Sequence, residues 1–178
     1  TLLNENTAQG ALPEGVEGGI LKGLYRLREV KAKAKGKKES PRVQLMGSGA
    51  ILREVEAAAE VLAADYGVSA EVWSATSFTE LRRQGIKTER WNRLHPTERT
   101  RASYVESCLE GHEGPVVAAT DYLRAFPDQI RSFVKRSFTT LGTDGFGRSD
   151  TRQALRRFFE IDRAHVVELD ALGRHPVH

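Results

Sequence analysis

Four times along this chain a short apolar run gives way to a turn of small residues and then to a stretch of helical periodicity. The runs are Val43-Gln44-Leu45-Met46, Val72-Trp73-Ser74-Ala75, Val116-Val117-Ala118-Ala119 and Ser137-Phe138-Thr139-Thr140-Leu141. Strands separated by helices return parallel to one another, because only a crossover connection can join parallel strands. The repeat therefore predicts an α/β fold: a three-layer α/β/α open sheet, mostly parallel. Val116 to Ala119 is apolar at every position, which suits a central strand buried on both faces.

A parallel sheet gathers the loops that follow its strands at one edge. Here those loops are Gly47-Ser48-Gly49, Thr76-Ser77, Thr120-Asp121 and Asp144-Gly145-Phe146-Gly147. In open α/β sheets that edge is where ligands and partners bind. Its backbone N–H groups, hydroxyls and helix starts suit an anion or a carboxylate. The last loop is the most developed. Gly142, Gly145 and Gly147 permit positive φ, Arg148 adds positive charge, and Asp150 is placed to cap the next helix. The candidate contact residues are Asp144, Gly145, Phe146, Gly147, Arg148 and Ser149.

The remaining elements follow from spacing. Val16, Ile20, Leu24 and Leu27, with Tyr25 beside them, predict one helix. The core is expected to start after Pro41. Ile51 to Leu62 forms a second apolar stripe, and Gly67 ends that helix. Ser77 and Glu80 have capping-box spacing. Gln84-Gly85 is expected to break the helix they start, leaving a second piece, Glu89 to Leu94, anchored by Trp91 and stopped by Pro96. A short helix follows at Tyr104 to Leu109. Tyr122 to Val134 reads as helical, with Pro127 in a new first turn. Ala154 to Phe159 and a final helix capped by Asp162 complete the chain, with Gly173 as its stop. The division is residues 1–40 as lead-in segment, helix and Lys-rich loop, 41–173 as the α/β domain, and 174–178 as a loose tail.

Charge and composition exclude several functions. The net charge is +3, and five positive charges lie between Lys31 and Lys38. The basic character thus belongs to one solvated loop, or to a contact with an acidic partner domain, and not to a nucleic-acid-binding face. No apolar run approaches the roughly 18 residues that span a bilayer. The start at Thr1 has neither a signal peptide nor a Met, which reads as a piece of a longer polypeptide. The single Cys108 excludes an internal disulfide and suits a reducing cytoplasm.

The chemistry-bearing residues do not assemble into a catalytic set. Gly47-Ser48-Gly49 has Leu52 where a dinucleotide fingerprint needs its third small residue, and no acidic residue closes the next strand. His95 lacks a second ligand at helical spacing and reads as a packed or surface histidine. Cys108 has no nucleophile motif around it and reads as structural. His175 and His178 belong to the tail.

The glycine loop, together with Thr76-Ser77-Phe78-Thr79-Glu80-Leu81, Arg90-Trp91-Asn92-Arg93-Leu94-His95-Pro96, Leu3-Asn4-Glu5-Asn6 and Pro13-Glu14-Gly15, resembles the carboxyl-terminal, transketolase-type domain of the homodimeric bacterial-type pyruvate dehydrogenase component. The resemblance runs over nearly the whole chain. It implies a transketolase C-terminal-domain-like fold and a parent enzyme that uses thiamine diphosphate and magnesium to decarboxylate pyruvate. That parent passes the two-carbon unit to a lipoyl-bearing acyltransferase component. In that family the cofactor lies between the amino-terminal and middle domains of two subunits. The resemblance therefore implies no catalytic, cofactor or metal residue here. It implies a non-catalytic domain whose partners are the upstream domains and a second subunit. Thr7-Ala8-Gln9-Gly10 and the extended lysine loop depart from the family pattern. A regulatory anion- or nucleotide-binding module using Asp144 to Thr151 is the alternative.

Overall fold

The structure, a computed structural model, describes residues 10–33 and 40–173. The lead-in residues 1–9, most of the lysine run and the tail lie outside the described residues.

The apolar runs form strands β2 (Arg42–Gly47), β3 (Ser69–Ala75), β4 (Val116–Ala119) and β5 (Phe138–Leu141). They pair parallel, β3 with β2, β2 with β4, and β4 with β5. Ahead of them lies β1 (Leu24–Val30), giving the order β1-β3-β2-β4-β5. β1 is antiparallel to β3 and starts at the carboxyl end of the sheet, with Leu24 opposite Ala75.

β1 overturns the single helix expected from Val16 to Leu27. That segment is two elements: a helix, α1 (Glu17–Lys22), and the strand. Gly23 separates them with φ +99°, a left-handed cap whose N–H points back to the carbonyls of Gly19 and Ile20. The close approach of Ser77 reserves the position for glycine, since a β-carbon there would lie 2.5 Å from its carbonyl oxygen. Pairing with β3 then overrides the helical spacing of Leu24 and Leu27. The core thus draws on residues ahead of Pro41, because Leu24 and Val30 are both buried.

Alternation along the strands supplies two apolar faces. Val43, Leu45, Ala70, Val72, Val117 and Ala119 point to one side. Helix α2 (Leu52–Val61) covers it and runs on through a π-helical turn, Leu62–Tyr66, to Gly67 at φ +67°. Met46, Trp73, Ala75, Val116, Ala118 and Phe138 point to the other side. Helices α3 (Phe78–Leu94) and α4 (Tyr104–Leu109) pack there.

α3 runs without the expected break at Gln84-Gly85. Gly85 is buried inside it, and a β-carbon there would come within 2.5 Å of the Phe133 ring. The glycine serves packing and does not end the helix. The expected helix from Tyr122 to Val134 is instead two single turns, α5 (Ala125–Asp128) and a 3₁₀ turn, Arg131–Phe133. Asp128 holds Arg131 at 2.6 Å, and the Arg131 guanidinium donates to the Phe138 carbonyl at 2.7 Å. The guanidinium therefore satisfies a carbonyl of the edge strand β5, which guards against pairing with another chain.

Two last helices, α6 (Arg152–Phe158) and α7 (Arg163–Gly173), return to the α2 side. The buried carboxylate of Glu54 on α2 fastens them, with Arg156 and Arg163 each 3.0 Å away. Asp162 caps α7 as expected, accepting from the His165 N–H at 3.1 Å. Among the described residues no helix is long and apolar enough to cross a membrane.

Candidate functional site

The carboxyl edge of β2 to β5 brings together all four loops expected there. β2 and β4 are neighbours, but the chain leaves β2 toward β3 and leaves β4 toward β5. The loops after β2 and β4 therefore flank the crevice that ordinarily receives a ligand in such sheets.

Here the crevice is closed by the protein's own groups. The Ser48 N–H donates to the Ala119 carbonyl at 3.1 Å. The Ser48 and Thr120 hydroxyls lie 3.4 Å apart, and Thr120 Oγ1 accepts from the Tyr122 N–H at 3.2 Å. Gly49 starts the helical run into α2 at φ +58°, and the Asp121 carboxylate lies against it, 2.7 Å from where a β-carbon would be. Asp121 thus puts a negative charge at a helix start, the place where a phosphate would otherwise sit. Its Oδ1 is buried without a hydrogen-bond partner among the described residues.

The other polar groups of the edge are also engaged. Thr76 Oγ1 donates to the Ile20 carbonyl at 2.8 Å. Ser77 Oγ caps α3 by accepting from the Glu80 N–H at 3.1 Å. The Glu80 side chain pairs with Arg83, so the expected capping box is only half made. A complete one stands at Ser103 and Glu106, where each side chain meets the other's backbone N–H. Its Ser-x-x-Glu spacing was the signal that could have found it.

The loop after β5 is tethered at its root. The Thr143 N–H donates to the Tyr122 carbonyl at 2.8 Å, and Thr143 Oγ1 donates to the Asp121 carbonyl at 2.9 Å. Asp144 accepts from the Arg124 N–H at 3.0 Å and from Nε at 2.6 Å. The Arg124 guanidinium holds the Asp144 carboxyl below its ordinary range. Of the three glycines, Gly145 alone takes positive φ, +109°. Gly142 is needed for close approach, since a β-carbon there would meet the Arg124 nitrogen at 2.5 Å, while Gly147 stands in open space. Phe146 is 96% exposed, and the Arg148 guanidinium lies over the Phe158 ring, 4.0 Å from its centre. Ser149 is exposed. The cap of α6 is Thr151, which accepts from the Ala154 N–H; Asp150, expected in that role, accepts from the Thr151 N–H instead.

Neither candidate reactive residue belongs to these four loops. The His95 ring stacks on Trp91 at 4.5 Å, and Nδ1 is 2.8 Å from the Trp91 carbonyl. Arg101 covers Trp91 at 3.4 Å, so the histidine belongs to an aromatic–cation stack at the end of α3. Burial pushes the Cys108 thiol up, although Tyr104 and Lys22 oppose it, so the sulfur is a poor nucleophile.

Sequence reasoning missed a buried polar cluster in the sheet. Gln44 is fully buried and Glu71 is 3% exposed. Glu71 accepts from Gln44 Nε2 at 2.6 Å and from Arg26 at 2.8 Å, and lies 2.7 Å from His112 Nδ1. Trp73 Nε1 donates to Gln44 Oε1 at 2.8 Å. Burial disfavours the ionised Glu71, but the donors Gln44, His112 and Arg26 outweigh it and lower its pKa. The signal available was a Gln and a Glu inside otherwise apolar strands.

A diphosphate does not fit the crevice, because the Asp121 carboxylate already occupies the helix start and would repel it. Among the described residues no group of three or more His, Cys, Asp or Glu could hold a metal ion. Among the described residues the edge presents exposed aromatic side chains and the Arg124–Asp144 pair, with no nucleophile and base assembled there.

This architecture defines a three-layer α/β module with an antiparallel edge strand and a self-filled ligand crevice. The chain belongs to the transketolase-like C-terminal domain family, whose model matches residues 23–162. It is 55% identical over 173 residues to the pyruvate dehydrogenase E1 component of Pseudomonas aeruginosa, covering 97% of this chain and 19% of that protein. It is 51% identical over 174 residues to the pyruvate dehydrogenase E1 component of Escherichia coli K12, covering 97% and 19%. The chain therefore spans about a fifth of the length of these relatives. Among solved structures it resembles transketolase from Campylobacter jejuni, at TM-score 0.55 and 20% identity over 89% of this chain and 20% of that one. That likeness supports the fold alone.

Proposed function

We propose that this chain is the carboxyl-terminal structural and assembly domain of a thiamine-diphosphate-dependent pyruvate dehydrogenase that transfers acetyl groups to lipoyl. The parent oxidatively decarboxylates pyruvate in the cytoplasm, with thiamine diphosphate and magnesium held by its upstream domains. This domain packs against those domains and a second subunit, and the parent delivers its product to a lipoyl-bearing acyltransferase. The observation that carries the reading is identity above half, over nearly the entire chain, to pyruvate dehydrogenase E1 components. The self-filled crevice agrees with it, because a domain without a ligand can fill its own switch point.

The loop from Asp144 to Ser149 is assigned to domain contact. A regulatory anion- or nucleotide-binding site using Asp144 to Thr151 is disfavoured by the carboxylates of Asp144 and Asp150 in that loop. The test is purification of the polypeptide encoded by the whole open reading frame. It should release carbon dioxide from pyruvate only with thiamine diphosphate and magnesium, and should acetylate a lipoyl domain. A full-length polypeptide that does neither removes the assignment.

A further inference from the structure

The arginines on the strands are each met by a carboxylate: Arg26 by Glu71, Arg28 by Glu56 and Glu60, and Arg42 by Glu29. α3 differs. Between Phe78 and Arg101 stand seven Lys or Arg and three Glu, so this stretch is a second concentration of positive charge besides the Lys31 to Lys38 run. Glu80 is taken by Arg83. Arg82, Lys87, Arg90 and Arg93 are exposed and make no ion pair among the described residues. Phe78, Leu81 and Gly85 bury the opposite side of the helix, so these cations share its solvent face. Arg82, Ile86, Arg90 and Arg93 follow one another at the spacing of a single helical stripe. Ile86 is exposed within that stripe, and Leu94 at its end. Lys87 and Arg90, like Arg90 and Arg93, are neighbours of like charge, which costs the unpartnered helix stability. Glu89 is the one exposed acid on α3. The surface continues into the next loop. Asn92 holds the Arg101 backbone from both sides, Nδ2 donating to its carbonyl and Oδ1 accepting from its N–H, each at 2.9 Å. The loop that carries the exposed Arg99 is thereby fixed at the end of the helix.

We infer that the solvent face of α3, from Arg82 to Arg93, docks an acidic amphipathic segment of a partner protein, with carboxylates for the unpaired cations and an apolar side chain for Ile86. Charge complementarity identifies the occupant, and its carboxylates offset the repulsion that the free helix carries. A small anion fits less well, because the cations are spread over about 16 Å of helix and do not converge on one point. A single-stranded nucleic acid needs free aromatic rings on which its bases stack. The aromatic residues of α3 are Phe78, which is buried, and Trp91, which the His95 ring and the Arg101 guanidinium already cover. The fixed loop after the helix keeps the surface organised before a partner arrives, which lowers the cost of binding. This inference goes beyond the reading of the chain as a structural domain and does not depend on it.

Fluorescence anisotropy with the full-length polypeptide tests this. The probe is a labelled synthetic peptide of about 15 residues, with Glu and Leu at helical spacing. It should bind saturably, one peptide per subunit. Raising the salt from about 50 to about 500 mM should weaken binding by roughly tenfold or more. Arg82→Glu, Arg90→Glu and Arg93→Glu together should also weaken it by roughly tenfold or more. The same three positions changed to Lys should keep it within about threefold, which separates loss of charge from loss of fold. Carbodiimide coupling of the bound peptide should join one of its carboxylates to Lys87, and this readout needs no substitution. No binding by the full-length polypeptide would overturn the inference, and so would an affinity that the three Glu substitutions leave unchanged. Adducts confined to the Lys31 to Lys38 run would place the contact elsewhere and overturn it too. A single-stranded oligothymidylate of equal charge that binds as tightly as the peptide, and loses affinity in the same Glu variant, would replace the acidic protein by nucleic acid.

Discussion

The carboxylate of Asp121 lies against Gly49 so closely that a β-carbon at Gly49 would stand 2.7 Å from Oδ1. This contact joins the loops after β2 and β4 and replaces a ligand with a side chain. It separates a scaffold from a nucleotide site in a fold that could have served as either.

Gly49→Ala should therefore be costly on two counts. Alanine opposes φ +58°, and its methyl group collides with Asp121. Left-handed strain sets most of the loss, about 1–2 kcal/mol, because the clash is with the end of the Asp121 side chain, which can shift. Urea unfolding of the 178-residue chain measures it. Asp121→Gly in the same chain should recover the steric part and leave the backbone part. A Gly49→Ala chain as stable as the parent would show that the contact is loose.

The buried Glu71 makes stability depend on pH. Its folded pKa is lowered, so its contribution is complete above the unfolded carboxyl value, about 4.3. The contribution is lost as pH falls through the lower folded value. Glu71→Gln should cost roughly 1–3 kcal/mol at neutral pH, by weakening the charge-assisted hydrogen bonds that Glu71 accepts from Gln44 and from the half-exposed Arg26. The gap between variant and parent should narrow as pH drops below about 4. Unfolding curves at both pH values check this, and a gap that stays constant across that range would contradict it.

Gly85→Ala sets two rules against each other. Alanine favours a helix interior over glycine by about 1 kcal/mol. At Gly85 the added methyl group meets the Phe133 ring at 2.5 Å. Packing should win, with a net loss of about 1–2 kcal/mol that Phe133→Leu partly relieves. A stabilised Gly85→Ala chain, seen as a higher melting temperature, would restore Gly85 to the role of helix breaker.

Ser103→Ala removes one half of the capping box at the start of α4 and should cost about 1 kcal/mol. Ser103→Asp, which keeps an acceptor, should recover most of it. Thermal unfolding of the two variants side by side decides the point.

Much of the fold was legible because β2 to β5 are short apolar runs bounded by Gly, Pro and Ser, and because α2 has an unbroken stripe. β1 was not legible. Leu24 and Leu27 continue the spacing of Val16 and Ile20, and nothing local shows that Gly23 turns left-handed. Only the distant partner Ala75 makes a strand of the residues that follow. Gly85 misled for a related reason, since its meaning lies in a ring 48 positions away in sequence. At the edge, the positions of the loops were readable but the use of their polar groups was not. Ser48, Thr76 and Ser77 resemble ligand-binding residues in sequence, yet each is hydrogen-bonded within the chain, and the Asp121 carboxylate is packed against Gly49.

The most direct measurement is calorimetric titration of thiamine diphosphate with magnesium into the 178-residue chain and, in parallel, into the full-length polypeptide. Binding by the full-length protein together with no saturable heat from the 178-residue chain is the predicted result. Saturable binding by the chain alone, abolished by a substitution at Gly49 or Asp121, would contradict the account.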